Sequence, residues 1–112
     1  MTTINITNPE TKRIIEFTVQ GVYAPKRLQF LAEKAPEYIY ELFKTGRLQE
    51  FAEQFEENIT AKIMDLFVQI RDRNDDYRKA QAVGDIELAE KLANNDMETA
   101  KQVAIREWVY AL

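Results

Sequence analysis

Glu50, Glu53 and Glu57 recur at steps of three and four, the spacing that puts three carboxylates on one face of a helix. Glu56 stands beside them, and only Lys62 offsets them nearby. Carboxylates in this pattern can solvate a helix face, meet a basic protein partner, imitate the charge of a nucleic acid, or ligate a metal. The metal option is the weakest, because carboxylate di-metal bundles pair Glu with Glu-x-x-His and the chain has no His. Its 112 residues also include no Cys and no Ser. Thiolate nucleophiles, disulfides, the usual zinc sites and acyl-transfer triads are thereby excluded. Carboxylates, Lys, Tyr and Thr are the side chains left for catalysis. The chain is therefore read as non-enzymatic, with no metal and no cofactor.

Phosphate chemistry would need cations. Lys12 and Arg13 form one basic pair, Lys26 and Arg27 a second, and the two together suggest a small basic zone. Arg71, Arg73, Arg78 and Lys79 suggest another. Lys44-Thr45-Gly46-Arg47 reads as a tight turn between two helices, as in a helix-turn-helix, where Arg47 and Gln49 could reach base edges. Glu50 and Glu53 follow at once and would repel phosphate. Net charge is −4. Residues 1–46 hold six basic and five acidic side chains, whereas residues 47–112 hold nine and fourteen. That balance argues against broad nucleic-acid affinity, which rests on a basic excess. Asp72-Arg73-Asn74-Asp75-Asp76 begins like a calcium loop. The sixth position, where Gly is needed, is Tyr77, and the twelfth, where Glu belongs, is Val83.

The elements that must carry these residues can be read in turn. Ile4 and Ile6, then Ile15, Phe17 and Val19, alternate with polar residues around the turn Asn8-Pro9-Glu10-Thr11. This predicts a β-hairpin over residues 1–22. From Pro25 the period lengthens. Leu28, Leu31 and Ala32 mark a first helix and Pro36 opens a second, carrying Ile39, Leu42 and Phe43. Gly46 ends it as a left-handed cap. A third, long helix follows from near Arg47, with Leu48, Phe51, Phe55, Ile59, Ile63, Leu66 and Ile70 on one stripe. A short helix over 75–83 stops at Gly84. Asp85 caps a last helix to the C-terminus, striped by Ile86, Ala89, Ala93, Met97, Ala100, Ala104, Trp108 and Ala111. The alanines would admit a close helix, from this chain or from a homodimer partner, and Trp108 would anchor one end. The expected fold is mainly α, a single domain over 1–112 with an N-terminal β-hairpin on a helical bundle over 25–112. No run approaches the ~20 apolar residues of a membrane span, and the N-terminus lacks a signal-peptide layout. The expected location is cytoplasmic, with no membrane partner.

Asn94 and Asn95 interrupt the last helix. Either they mark a partly exposed kink, or one is buried and fixes the packing register. They also belong to a wider pattern. Asn94, Asn95, Ala100, Glu107, Trp108, Val109 and Tyr110 resemble the C-terminal motif of the TnpV family, small proteins encoded on transposons of Gram-positive bacteria. FLAEKAPEYIYELFKTGRL, residues 30–48, resembles a second family stretch, and AEQFEENITAKIMDLFVQI its long amphipathic helix. The likeness spans roughly residues 28–110 and departs from the family at ELAEKL, residues 87–92, where the family carries a Trp. It implies an accessory factor of a mobile element, with an excisionase-like DNA role, and no catalytic residues to carry over.

Residues and resemblance together predict a non-enzymatic accessory or regulatory protein of a mobile genetic element or phage, acting through a protein or DNA partner. In one mechanism it binds DNA weakly through Lys12, Arg13, Lys26, Arg27 or Arg47. In the other its acidic helix, with Glu50, Glu53 and Glu57, binds a protein and inhibits a nucleic-acid enzyme. Asn94, Asn95 and Trp108 are the expected register-setting residues.

Overall fold

A computed structural model describes residues 1–111. Strands β1 (Thr2–Thr7) and β2 (Ile14–Val19) form an antiparallel hairpin in which Ile4 faces Phe17 and Ile6 faces Ile15. Helices α1 (Ala24–Lys34), α2 (Pro36–Lys44), α3 (Leu48–Asp72), α4 (Asp75–Ala82) and α5 (Ile86–Ala104) follow, and a π-helical turn, Ile105–Val109, closes the chain. The fold is a mainly α bundle with an N-terminal hairpin, as the two periodicities require.

The breaks fall where local chemistry puts them. Pro25 and Pro36 sit in the first turns of α1 and α2, where a missing N–H costs nothing. Gly46, at φ 75°, ends α2: its N–H reaches the Phe43 carbonyl at 3.1 Å and the Arg47 N–H reaches Leu42 at 2.9 Å. This six-to-one and five-to-two pair leaves α2 with satisfied carbonyls. Asp85 then caps α5, its carboxylate accepting from the Leu88 N–H at 3.1 Å.

Two cores lie along α3. The first gathers Ile4, Ile6 and Val19 of the hairpin, Leu28 and Leu31 of α1, Ile39 of α2, and Leu48 and Ala52 of α3. The second sets Ile59 and Ile63 of α3 against Ala100, Ala104 and Val109. Phe55 touches both. The result is long, 64 × 24 × 17 Å, with a radius of gyration of 18.6 Å. A compact chain of this length would have about 13 Å.

The alanine stripe is used inside the chain. Ala100 and Ala104 are fully buried in the second core and hold α5 close against α3. The stripe does not keep one period to the end, because the helix widens into the π turn at Ile105. Trp108 therefore does not anchor the packed face: it is 37% exposed, while its neighbour Val109 is wholly buried. Residues 86–95 run past the end of α3 and pack on α4. The tip they form leaves Val83 and Ile86 79% and 71% exposed.

Candidate interaction surface

The outer face of α3 is the most continuous exposed surface that the sequence reading singled out. Steps of three and four carry one line from Glu50 through Glu53 and Glu57 to Ala61, Met64 and Val68. All six are exposed, and the line runs opposite the packed stripe of Leu48, Ala52, Ile59 and Ile63. Its first half is acidic and its second half apolar, with Met64 48% and Val68 40% exposed. Across α3 there are six acidic and two basic side chains. Two glutamines tie down part of the acidic half. Gln49 donates to Glu53 at 3.0 Å and Gln54 to Glu50 at 3.4 Å. Gln49 is thereby engaged rather than directed at an approaching base edge.

Glu56, the remaining carboxylate, has a different task. It turns off the outer face and accepts from the backbone N–H groups of Val22 (2.8 Å), Tyr23 (2.9 Å) and Ala24 (2.7 Å). These are the orphan donors at the start of α1, which has no side-chain cap of its own. The carboxylate also meets the positive end of the helix dipole. Sequence reasoning missed this role, since nothing in the spacing of Glu56 separates it from its neighbours.

The basic candidates do not come together. Lys12 and Arg13 sit at the hairpin turn, Lys12 with φ 62°. Lys26 and Arg27 follow the opposite end of β2, about 20 Å of strand away. Lys26 and Arg47 are exposed. Arg27 is half-buried and committed: it donates to the Val109 carbonyl at 3.0 Å and to that of Ala111. Its guanidinium lies 5.8 Å from the Phe30 ring centre and 6.0 Å from that of Phe55. Burial pulls its pKa below the usual arginine range, with Tyr38 acting in the opposite sense. This arginine fastens the C-terminal turn to α1. In the second basic group, Arg71 stacks on Phe67 and Tyr77, and Arg78 donates to the Asp72 carbonyl.

The expectation that Asn94 or Asn95 is buried is overturned. Both are exposed, because the step from Ala93 to Asp96, Met97 and Ala100 carries the packed face past them. The buried polar residue is the next one. Asp96 is 9% exposed, and its carboxylate accepts from the Asn74 amide at 3.0 and 3.3 Å. Asn74 in turn caps α4 by accepting from the Tyr77 N–H at 3.2 Å. The calcium-like run is thus a helix break with its own cap. Asn94→Ala and Asn95→Ala should each change the unfolding free energy by no more than about 0.5 kcal/mol, as read from urea midpoints.

Tyr23 packs against the second core. Burial first, then the Glu56 and Glu98 carboxylates, raise its phenol above the ordinary 10.0. The folded chain therefore holds this proton more tightly than the unfolded chain does. Its contribution is complete below pH 10 and is lost as pH rises through the folded value. Tyr23→Phe should flatten that part of the alkaline stability slope, measured as urea midpoints above pH 9.

Clefts among the described residues are shallow. One of them, about 380 Å³, lies between α4 and α5 and is lined by Tyr77, Ala80, Ile86 and Ala89, with Asp85 and Glu90 among its polar residues. No group of three or more His, Cys, Asp or Glu gathers as a metal site among the described residues. No described helix is long and apolar enough to cross a membrane. No family model, curated protein or solved structure matches the chain.

Proposed function

We propose that the chain is a non-enzymatic accessory protein of a mobile genetic element or phage, and that it acts by binding a basic protein on the outer face of α3. The observation that carries the binding mode is the unbroken exposed line Glu50–Glu53–Glu57–Ala61–Met64–Val68. Its acidic half attracts a cationic surface over a Debye length of about 10 Å, and its apolar half supplies contact area once the partner has docked. An amphipathic helix with Lys or Arg at one end and apolar residues at the other fits this order. A basic segment of a nucleic-acid enzyme has that chemistry. The mobile-element context rests on the resemblance of residues 28–110 to the TnpV family.

DNA binding is the second reading, supported by that same resemblance and by the exposure of Lys12, Arg13, Lys26 and Arg47. The separation of these cations and the engagement of Arg27 favour the first. Fluorescence anisotropy against duplex DNA at about 50 and 200 mM salt separates the two, since phosphate-driven affinity falls steeply over that range. The expected result is no saturable binding below ~10 µM even at the lower salt, tighter than much non-specific binding. Affinity purification from host lysate should recover a basic protein with the native chain. Joint Glu50→Lys, Glu53→Lys and Glu57→Lys substitution should abolish that recovery without loss of fold. Tight, salt-sensitive DNA binding would reverse the order of the two readings.

A further inference from the structure

We infer that β2 is a self-recognition edge, and that two copies of the chain join by antiparallel β2–β2 pairing centred on Phe17. The surface is separate from the α3 face, and neither depends on the other. Among the described residues the sheet has two strands, so β2 pairs on one side alone. The sense of its free side follows from the ladder. The Asn8 N–H donates to the Arg13 carbonyl at 2.9 Å. Hydrogen-bonded and non-bonded pairs alternate in an antiparallel ladder. Ile15, Phe17 and Val19 therefore point their backbone groups at β1. Ile14, Glu16 and Thr18 point theirs outward. All three outward residues are exposed, Ile14 by 65%, while Ile15 and Phe17 are only half-buried. No proline, lysine or bulge interrupts Ile14–Val19, and Glu16 is its one charged residue.

A second copy is the occupant that the residues favour. Pairing about a twofold axis at Phe17 places Phe17 against Phe17 of the second copy and Ile15 against Val19. Glu16 then faces Thr18, and these hold the outward backbone groups that would bond. Continued beyond the strand ends, the same register carries Arg13 toward Gly21 of the second copy. Gly21 lies directly over the Glu56 carboxylate, which is 2.8 Å from where a Cβ would stand. Each copy thus brings an arginine to the other's carboxylate, and the axis makes the contact twice. Shifting the axis to Glu16 sets two glutamates face to face. Shifting it to Thr18 keeps Phe17 against Val19 but sets Ile15 against Gly21 and carries Arg13 past the Glu56 carboxylate. Only the Phe17 axis satisfies apolar, backbone and charge terms together.

Six strand residues on each side make a small interface next to the 20–30 of a standard one, so the dimer is weak, in the range of about 10 µM to 1 mM. Sedimentation velocity of the full chain from about 10 µM to 1 mM should show a reversible, concentration-dependent shift from monomer to dimer. Thr18→Pro removes an outward N–H and leaves the β1–β2 ladder intact. It should stay monomeric at every concentration with an unchanged helical circular dichroism spectrum. Arg13→Glu, at an exposed turn position, gives a second reading that does not depend on the strand. It should weaken the dimer by tenfold or more, because it sets a like charge beside Glu56. A native chain that remains monomeric throughout, or dimers in folded variants as strong as the native one, overturns the inference.

Discussion

Glu56→Ala lowers the unfolding free energy by about 2–3 kcal/mol, the expected cost of removing a charged acceptor that serves a cluster of backbone donors. The loss should appear as a fall of roughly 10 °C in melting temperature. Three N–H groups, those of Val22, Tyr23 and Ala24, lose their acceptor at once. The connection from β2 into α1 has no other cap, so hairpin and helix lose their mutual orientation as well as hydrogen bonds. Glu56→Gln should lose less, since one amide oxygen can still accept. Gly21 makes the argument specific. Its φ of 109° disfavours any side chain, and a Cβ would meet the Glu56 carboxylate at 2.8 Å. Gly21→Ala should therefore be costly in the native background and less so in Glu56→Ala, where half of the obstruction has gone. A double-mutant cycle on urea midpoints measures this. Strictly additive losses would mean that the two residues do not share the contact described.

Asn74→Ala is the second large effect, about 3 kcal/mol. One part is the lost cap of α4, typically ~1 kcal/mol. The other is the Asp96 carboxylate, left nearly buried without its donor, a deficit of about 1–3 kcal/mol. Asp96→Ala should cost less, because it removes the group that would otherwise be stranded. Asn74→Asp is the informative control. It keeps an acceptor for the Tyr77 N–H but sets two carboxylates against each other. Its deficit should exceed that of alanine at neutral pH and shrink in acid, where one of the pair is protonated. Chemical denaturation at about pH 7 and pH 4 reads both arms. If Asn74→Asp equals the native chain at neutral pH, the pair does not hold α4 to α5.

Local structure was largely legible in the residues, because its determinants are local. Pro25, Pro36, Gly46, Gly84 and Asp85 act within a turn of where they stand, and they mark the observed element ends. The two-residue alternation of β1 and β2 and the long stripe of α3 announce which sides are buried. What escaped depends on distance. Glu56 and Asp96 look like ordinary members of polar runs, and only contacts 32–34 and 22 residues away distinguish them. The asparagine pair drew attention by its composition, yet its angular position on α5 puts it in solvent. The pairing of Lys12 and Arg13 with Lys26 and Arg27 failed for a similar reason: closeness along the sequence concealed the length of a strand. The acidic candidates fared better, since a single helix fixes Glu50, Glu53 and Glu57 relative to one another without help from the rest of the fold.

The tip formed by α4 and the first half of α5 carries a consequence for how the molecule opens. A segment that rests on one neighbour and leaves Val83 and Ile86 in water gives up little apolar burial when it frays. The middle of α3, packed from both ends and joined across Phe55, gives up the most. Solvent exchange and proteolytic entry are therefore graded along the length of the chain. The α4–α5 tip should exchange first while the hydrogen bonds around Ile59 stay closed.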